Sequence, residues 1–308
     1  MDKVTGPLAP RRAIATVLKQ LREDTGKSLK DVAEDLLISR SKLSRLENAQ
    51  GKPLRRDMGD LIRYYGIDGT PLGTRLQRLA REALRPGWWT DFDVLLGTRG
   101  LDVHLAYEVD ATVERTYTLP FLPALLQTEE YAAAIFRDME QRSEDQVRQL
   151  VKVQLRRQAA LMNREGGLPP LQLVAVTHES TLRQAVGSPA IMRAQLDALA
   201  ERPSALNVHL HVLPFQASPV FSMTCMYAYF EYQDVDNLEQ DVVRIETHAG
   251  FLNIEDSAQV ARYRAAHDDL VQAALDEDSS RDLIRSTRDE LMARDQAMTS
   301  ANCRQQLP

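Results

Sequence analysis

The sequence has little cysteine and no long apolar run. Cys225 and Cys303 are the only cysteines among 308 residues, which is too few for a disulfide framework or a cysteine-rich zinc cluster. Apolar runs such as FLPALL are far shorter than the ~20 residues that span a bilayer. The N-terminus also lacks the apolar core of a signal peptide. These absences predict a cytoplasmic protein with reduced thiols and no membrane association.

Motifs for catalysis and cofactor binding are absent as well. The sequence has no phosphate-binding glycine loop and no serine in a nucleophile elbow. His209 and His211 alternate along a predicted strand and share one face, and His178-Glu179 lies upstream. However, Leu182 stands where a zinc-protease helix needs its second histidine. We therefore predict no catalytic residues, no cofactor and no metal site, and we interpret the two strand histidines as a half-exposed polar face.

Charge is distributed unevenly along the chain. Residues 11–66 hold 13 Lys or Arg against 8 Asp or Glu, a balance of +5. Because the whole chain carries −6 and residues 1–10 are neutral, residues 67–308 carry −11. A basic N-terminal segment on an acidic body is typical of a protein that presents one end to a polyanion such as DNA.

A short amphipathic helix is predicted to begin near Arg40, within the segment ISRSKLSRLENA. Its polar face is made up of Arg40, Ser41, Ser44, Arg45 and Asn48. Leu43 and Leu46 fall on the opposite, apolar side. Ser39 can cap the first turn, and Gly51 follows the end. A lone helix of this kind is usually a solvated surface, so its neighbours must decide what the polar face does.

The neighbouring segments predict a helix-turn-helix bundle. SLKDVAEDLL (28–37) reads as a second short helix with Ser28 as its cap and Leu29, Val32, Ala33, Leu36 and Leu37 on its buried side. Only two residues separate the two helices, which requires a steep crossing. Further helices are predicted at residues 11–23 and 55–66. In such a bundle the second motif helix lies in the DNA major groove.

Residues 21–67 resemble the Xre type of helix-turn-helix domain, which is similar to the phage repressors, and the core SKLSRLEN is the most specific part of the match. The resemblance implies that the polar face reads bases and that Arg22 and Glu47 form a structural pair. The predicted base-reading residues are Arg40, Ser41, Ser44 and Arg45. The predicted phosphate contacts are Ser28, Lys30, Lys42, Lys52 and Arg55.

The remainder of the chain predicts a second domain. Residues 1–70 form the head, residues 71–90 a linker helix that ends in the Trp88-Trp89 pair, residues 91–295 a regulatory domain, and residues 296–308 a disordered tail. Helices are predicted at 103–118, 127–139, 143–165, 188–202, 257–275 and 280–295. Strands are predicted at 171–178, 206–215, 225–232 and 241–248. The expected fold is an all-α bundle followed by an α+β domain with a sheet of about four strands flanked by helices.

The second half also carries an ordered series of motifs that resembles a known domain. YEVDATVERTYTLPFLPALLQTEEYAAAIF, RRQAALM and IETHAGFLNIED follow in order a domain of unknown function that accompanies Xre-type heads in actinobacterial regulators. Some of these regulators are described as antitoxin-like or similar to the sporulation regulator WhiJ. The match covers residues ~88–290. The resemblance implies a partner or sensor domain, often paired with a small protein encoded nearby.

Two classes of function remain open at this stage. The first is a nucleoid-associated transcriptional regulator, acting as a homodimer on double-stranded DNA, whose second domain binds a small protein partner or a small-molecule effector. The alternative is an intracellular hydrolytic enzyme, with or without a metal ion, that carries a DNA-targeting head. The absence of a recognisable catalytic constellation favours the first class.

Overall fold

The computed structural model describes residues 6–92, 100–140, 142–164, 168–202, 207–217, 225–232, 240–247 and 250–305. The chain divides into two compact units. The first comprises Met1–Ala111 with Phe230–Val242, and the second Thr112–Tyr229 with Val243–Pro308. Among the described residues, no helix has both the length and the apolar character that crossing a membrane requires.

The first unit begins with a helical bundle around one apolar core. Its helices are α1 (Ala9–Asp24), α2 (Leu29–Asp35), α3 (Arg40–Glu47), α4 (Arg55–Tyr64) and α5 (Pro71–Ala83). The predicted helices of the head are all present. The core is formed by apolar side chains from each of them, including Leu18, Val32, Leu43, Leu61 and Leu76.

Helix α5 is part of this bundle. Leu76 and Leu79 are buried in the same core as the residues of α1 to α4, and Thr70 caps the helix by accepting a hydrogen bond from the Gly73 amide. The Arg11 guanidinium of α1 donates to the Ala83 carbonyl oxygen at 3.2 Å. The segment interpreted from sequence as a linker helix therefore packs as a structural helix of the head.

The Trp pair follows α5 in a short 3-10 helix, Trp88–Phe92. Trp89 is fully buried, and its ring packs beneath Gly87, where a Cβ atom would approach the ring carbons to 2.4 Å. Helix α6 (Leu101–Glu108) lies further along the first unit, and the Leu8 amide donates to the carbonyl oxygen of Ala106 in this helix.

A mixed sheet organises the second part of the chain. Within the described residues it has six strands, where the sequence predicts about four. The strands are β1 (Val113–Thr118), β2 (Gln172–His178), β3 (Val208–Leu213), β4 (Tyr227–Glu231), β5 (Val242–Thr247) and β6 (Gly250–Ile254), in the spatial order β3-β2-β1-β4-β5-β6. Strands β1, β2 and β3 are parallel, and β5 and β6 form an antiparallel pair.

Two strands were not predicted from the sequence. The single helix predicted at 103–118 is wrong, because the chain leaves α6 after Glu108 and enters β1 at Val113. Val113, Thr116 and Tyr117 are good strand formers, and β1 pairs with β2 along its whole length. Strand β6 was also not predicted, and it pairs with β5 from Thr247 opposite Gly250 to Val243 opposite Ile254.

The helices of the second unit are α7 (Glu129–Glu140), α8 (Glu144–Gln158), α9 (Glu179–Arg183), α10 (Pro189–Ala200), α11 (Ser257–Ala273) and α12 (Glu277–Gln305). Five of them overlap helices predicted from the sequence. The short α9 was not predicted, and α12 begins at Glu277, before its predicted start at residue 280. Ser143 and Gln146 form the expected capping box of α8, and Ser188 caps α10. Helix α12 ends at Gln305, beyond residue 296, where the sequence analysis places the start of a disordered tail.

The apolar face of the sheet encloses a histidine. His267 of α11 is fully buried, and its Nδ1 lies 3.0 Å from the hydroxyl oxygen of Tyr227 on β4. Burial lowers the pKa of His267 to about 3, and the charge of Arg115 acts in the same direction. Because the unfolded chain binds a proton here near pH 6.5 and the folded chain does not, acid favours the unfolded state.

We predict a specific acid sensitivity from this residue. Between pH 7.5 and pH 4.5 the wild-type chain should lose roughly 2–3 kcal/mol more unfolding free energy than a His267→Gln variant, which has no ring to protonate. Urea unfolding at a series of pH values measures the difference. If the unfolding free energies of the two chains change with pH in parallel, His267 has the same pKa in the folded and unfolded states, and the prediction is contradicted.

Candidate nucleic-acid interface

Helix α3 is held by its apolar side and presents its polar side to solvent. Leu43 and Leu46 are buried in the bundle core. Ser39 caps the helix, because its hydroxyl oxygen accepts a hydrogen bond from the Lys42 amide at 3.2 Å. Arg40, Ser41 and Arg45 are exposed on the outer face. No residue of the described segments pairs with the guanidinium of Arg40 or Arg45, so both are available to an external acceptor.

The fourth predicted base-reading residue is partly engaged within the helix. Ser44 is half-buried, and the Asn48 side-chain amide donates to its carbonyl oxygen at 2.7 Å and to its hydroxyl oxygen at 3.3 Å. These contacts finish the C-terminal end of α3. The face open to a ligand is therefore centred on Arg40, Ser41 and Arg45.

A bidentate ion pair ties α3 to α1. Arg22 Nε lies 2.9 Å from Glu47 Oε1, and Arg22 Nη2 lies 2.9 Å from Glu47 Oε2. The Glu47 side chain is 4% exposed, and its hydrogen bonds raise the pKa of Arg22 above the ordinary value. The resemblance implies this pair, and in the structure it joins α1 to α3, while Arg22 also donates to the Lys27 carbonyl oxygen at 3.2 Å. Glu47 thus fixes the inner side of α3 and is not part of its outer face.

The turn between α2 and α3 differs from the prediction at one residue. Helix α2 ends at Asp35, and Leu37, expected on the buried side, is 93% exposed with a left-handed φ of 53°. In this tight turn the Ile38 amide donates a hydrogen bond to the Ala33 carbonyl oxygen at 3.0 Å. A left-handed conformation is unfavourable for a branched side chain. The short connection between α2 and α3 therefore imposes this conformation on Leu37.

The predicted phosphate contacts fall into two groups. Lys52 and Arg55 are exposed and have no carboxylate partner among the described residues. By contrast, Lys42 Nζ lies 2.8 Å from Oδ1 of the buried Asp57 and joins α3 to α4. Ser28 forms a capping box with Asp31, and Lys30 lies 3.7 Å from Glu34 across an exposed turn.

The start of α4 adds cationic residues that the sequence analysis did not single out. No side chain caps this helix at Leu54, so the amides of its first turn have no side-chain acceptor. Arg56 is exposed next to Arg55. Free helix-start amides beside guanidinium groups favour a phosphate. The sequence signal was the lack of a Ser, Thr, Asp or Asn cap before the RR pair.

The histidines considered as metal ligands have structural partners instead. His209 Nδ1 lies 2.7 Å from Glu277 Oε1, and His211 Nδ1 lies 3.0 Å from the Leu275 carbonyl oxygen, so both hold the start of α12 to β3. His178 Nδ1 accepts from the Ser180 amide and caps α9. Glu179 accepts from the Phe215 amide at 3.0 Å and pairs with Arg183.

The geometry of α2, the tight turn and α3 defines a helix-turn-helix head, a class of domain that binds DNA. A family model described as a helix-turn-helix domain matches residues 13–74. A second family model, described as a domain of unknown function (DUF5753), matches residues 101–286, and the chain belongs to this DUF5753 family. Comparison with curated proteins found no match, and comparison with solved structures found none either.

Proposed function

We propose that the chain is a sequence-specific transcriptional regulator of the Xre type that reads duplex DNA with the outer face of α3. The observation that carries this proposal is the pairing pattern of that helix. Its inner side is fixed by Leu43, Leu46 and Glu47, while Arg40 and Arg45 are exposed and pair with no residue of the described segments. Guanidinium groups in this position can donate two hydrogen bonds to a guanine edge. The proposal places the protein in the cytoplasm, at the nucleoid.

Substitutions on α3 and in the following loop should affect binding differently. Once a binding site has been selected from random duplexes, Arg40→Ala should cost about 1–3 kcal/mol and relax specificity at one base pair of each half-site. Lys52→Ala should weaken binding to all sequences alike and reduce the salt slope by about one unit, because it removes a phosphate contact. Fluorescence anisotropy at several salt concentrations measures both effects.

The matched control for these variants is Arg78→Ala. Arg78 is an exposed arginine of α5 that pairs with Glu82 and lies outside the helix-turn-helix. Its loss removes the same charge and should leave selectivity unchanged. If Arg40→Ala binds the selected site as tightly as this control does, α3 is not the reading helix.

We further propose that the protein acts as a homodimer on an inverted repeat. One head contacts too few base pairs to be selective in a genome, and the basic heads repel each other. The dimer contacts should therefore come mainly from residues 91–295. Light scattering on a chain that lacks residues 1–80 should give a dimer mass at micromolar concentration, and a monomer mass would contradict this assignment.

For the DUF5753 domain we propose a binding role and not a catalytic one. It takes a second molecule, which is a small antitoxin-like protein encoded nearby or, as the alternative, a small ligand, in keeping with the resemblance to actinobacterial WhiJ-like regulators. The histidines that an enzyme would use as ligands hold α12 and α9 in place, which supports this reading.

Contacts within the first unit support coupling between such binding and the head. Arg12 of α1 is buried and donates to the Gln240 and Asp241 carbonyl oxygens, at 2.6 and 3.3 Å, just before β5. The hydroxyl of Tyr232 donates to the Tyr107 carbonyl oxygen in α6 at 2.9 Å. Helix α1 also carries Arg22, so a shift of residues 240–241 would reach the helix that orients α3.

Binding of the second molecule should change the affinity for DNA. A coupling of about 1–3 kcal/mol corresponds to a 5- to 150-fold change, and it must act equally in both directions. The test titrates labelled binding-site DNA with the protein, with and without the co-purified or neighbour-encoded small protein. Unchanged DNA affinity at saturating partner would reduce the DUF5753 domain to a dimerisation module.

A further inference from the structure

A groove runs between α4 and α5 on the head. It encloses about 640 Å³, which is within the range of small-molecule sites. Its lining comes from residues 55–63 of α4 and from residues 77–84 at the end of α5. Neither the outer face of α3 nor the DUF5753 domain contributes to it, and of the predicted phosphate contacts the groove contains Arg55 alone.

The rim of the groove favours an anion. Arg63 pairs with Asp60, the acidic residue among those that line the groove. Arg55, Arg56 and Arg81 are exposed, and no carboxylate of the described residues pairs with them. Guanidinium groups bind phosphate oxygens through paired, charge-assisted hydrogen bonds. An excess of unpaired arginine around one concave surface therefore selects a ligand with phosphate or carboxylate groups.

The floor of the groove offers apolar contact to the same ligand. Met58 and Ala80 close it from the bundle core and are only 1% and 3% exposed, so most of the apolar surface open to a ligand there belongs to Leu84, which is 38% exposed at the end of α5. Polar groups are present beside this floor as the Asp60 carboxylate and the Gln77 amide. A carboxylate and an amide at the edge of an apolar surface are suited to hydrogen bonding with the edge of a nucleobase.

Gly59 gives an independent indication that something approaches this face of α4. It lies inside the helix, where glycine is about 1 kcal/mol less favourable than alanine. Packing does not require it, because a Cβ atom here would meet nothing closer than Arg63 Nη1 at 3.9 Å. An unoccupied helix surface gains nothing from glycine, whereas a ligand lying against the backbone would need the space.

We propose that the groove between α4 and α5 binds a nucleoside phosphate. Arg55, Arg56 and Arg81 hold the phosphate oxygens, and the base lies over Gly59 against the floor formed by Met58, Ala80 and Leu84. The claim is independent of DNA reading by α3, although Arg55 also belongs to the predicted phosphate contacts. Flanking DNA or an acidic peptide could bind the same three arginines, but neither would need the apolar floor of the groove.

The test measures binding to the full-length chain by isothermal titration with GTP, ATP, guanosine and ribose 5-phosphate. A nucleotide should bind at least about tenfold more tightly than ribose 5-phosphate or guanosine, because only the nucleotide uses both rim and floor. Arg81→Gln should weaken nucleotide binding about tenfold or more. Arg78→Gln, on the same helix but outside the groove, should have no effect.

A Gly59→Leu variant distinguishes loss of binding caused by a blocked groove from loss of binding caused by unfolding. Leucine favours the helix and has open space at its Cβ, so the variant should unfold at a higher temperature while nucleotide binding is lost. Three results would overturn the proposal: unchanged binding by Gly59→Leu, equal affinity for ribose 5-phosphate and nucleotide, or competition for the groove by duplex DNA or polyglutamate with no nucleotide binding at about 1 mM.

Discussion

The bidentate pair between Arg22 and Glu47 is the constraint on which the orientation of α3 in the helix-turn-helix depends. It joins α1 to the end of α3 at 2.9 Å on both guanidinium branches, and Glu47 is nearly buried. A buried carboxylate needs its partner, so α3 cannot rotate about its own axis without leaving a charge uncompensated. A second ion pair, between Lys42 and Asp57, joins the start of α3 to α4. With both ends held, Arg40, Ser41 and Arg45 form the outward face.

The same α1 also connects this geometry to the chain segment between β4 and β5. Arg12 is bound to carbonyl oxygens just before β5, Arg11 to the end of α5, and Arg22 to α3. Three arginines of one helix thus fix α3, α5 and residues 240–241 to a common element of the first unit. A displacement of residues 240–241 would therefore act on α1 and, through Arg22, on α3.

Local signals predicted the head well because they lie within a few residues of the feature they specify. Ser28 and Ser39 cap α2 and α3, and the spacing of Leu43 and Leu46 sets the buried side. Features that depend on distant residues were not predictable in this way. Strand β1 follows a helix and is defined by pairing with β2, far along the chain. The exposure of Leu37 and the capture of Lys42 by Asp57 follow from how the helices cross.

The central claim, that the outer face of α3 lies in the major groove, is tested most directly by site-directed cross-linking. In a chain with Cys225 and Cys303 replaced by serine, a cysteine is introduced at Ser41, and in a matched control at Thr74, which is exposed on α5. Each protein is mixed with its selected duplex carrying a thiol tether on one major-groove base. The account predicts a disulfide cross-link with Ser41→Cys and none with Thr74→Cys. Equal cross-linking from both positions, or from Thr74→Cys alone, would contradict it.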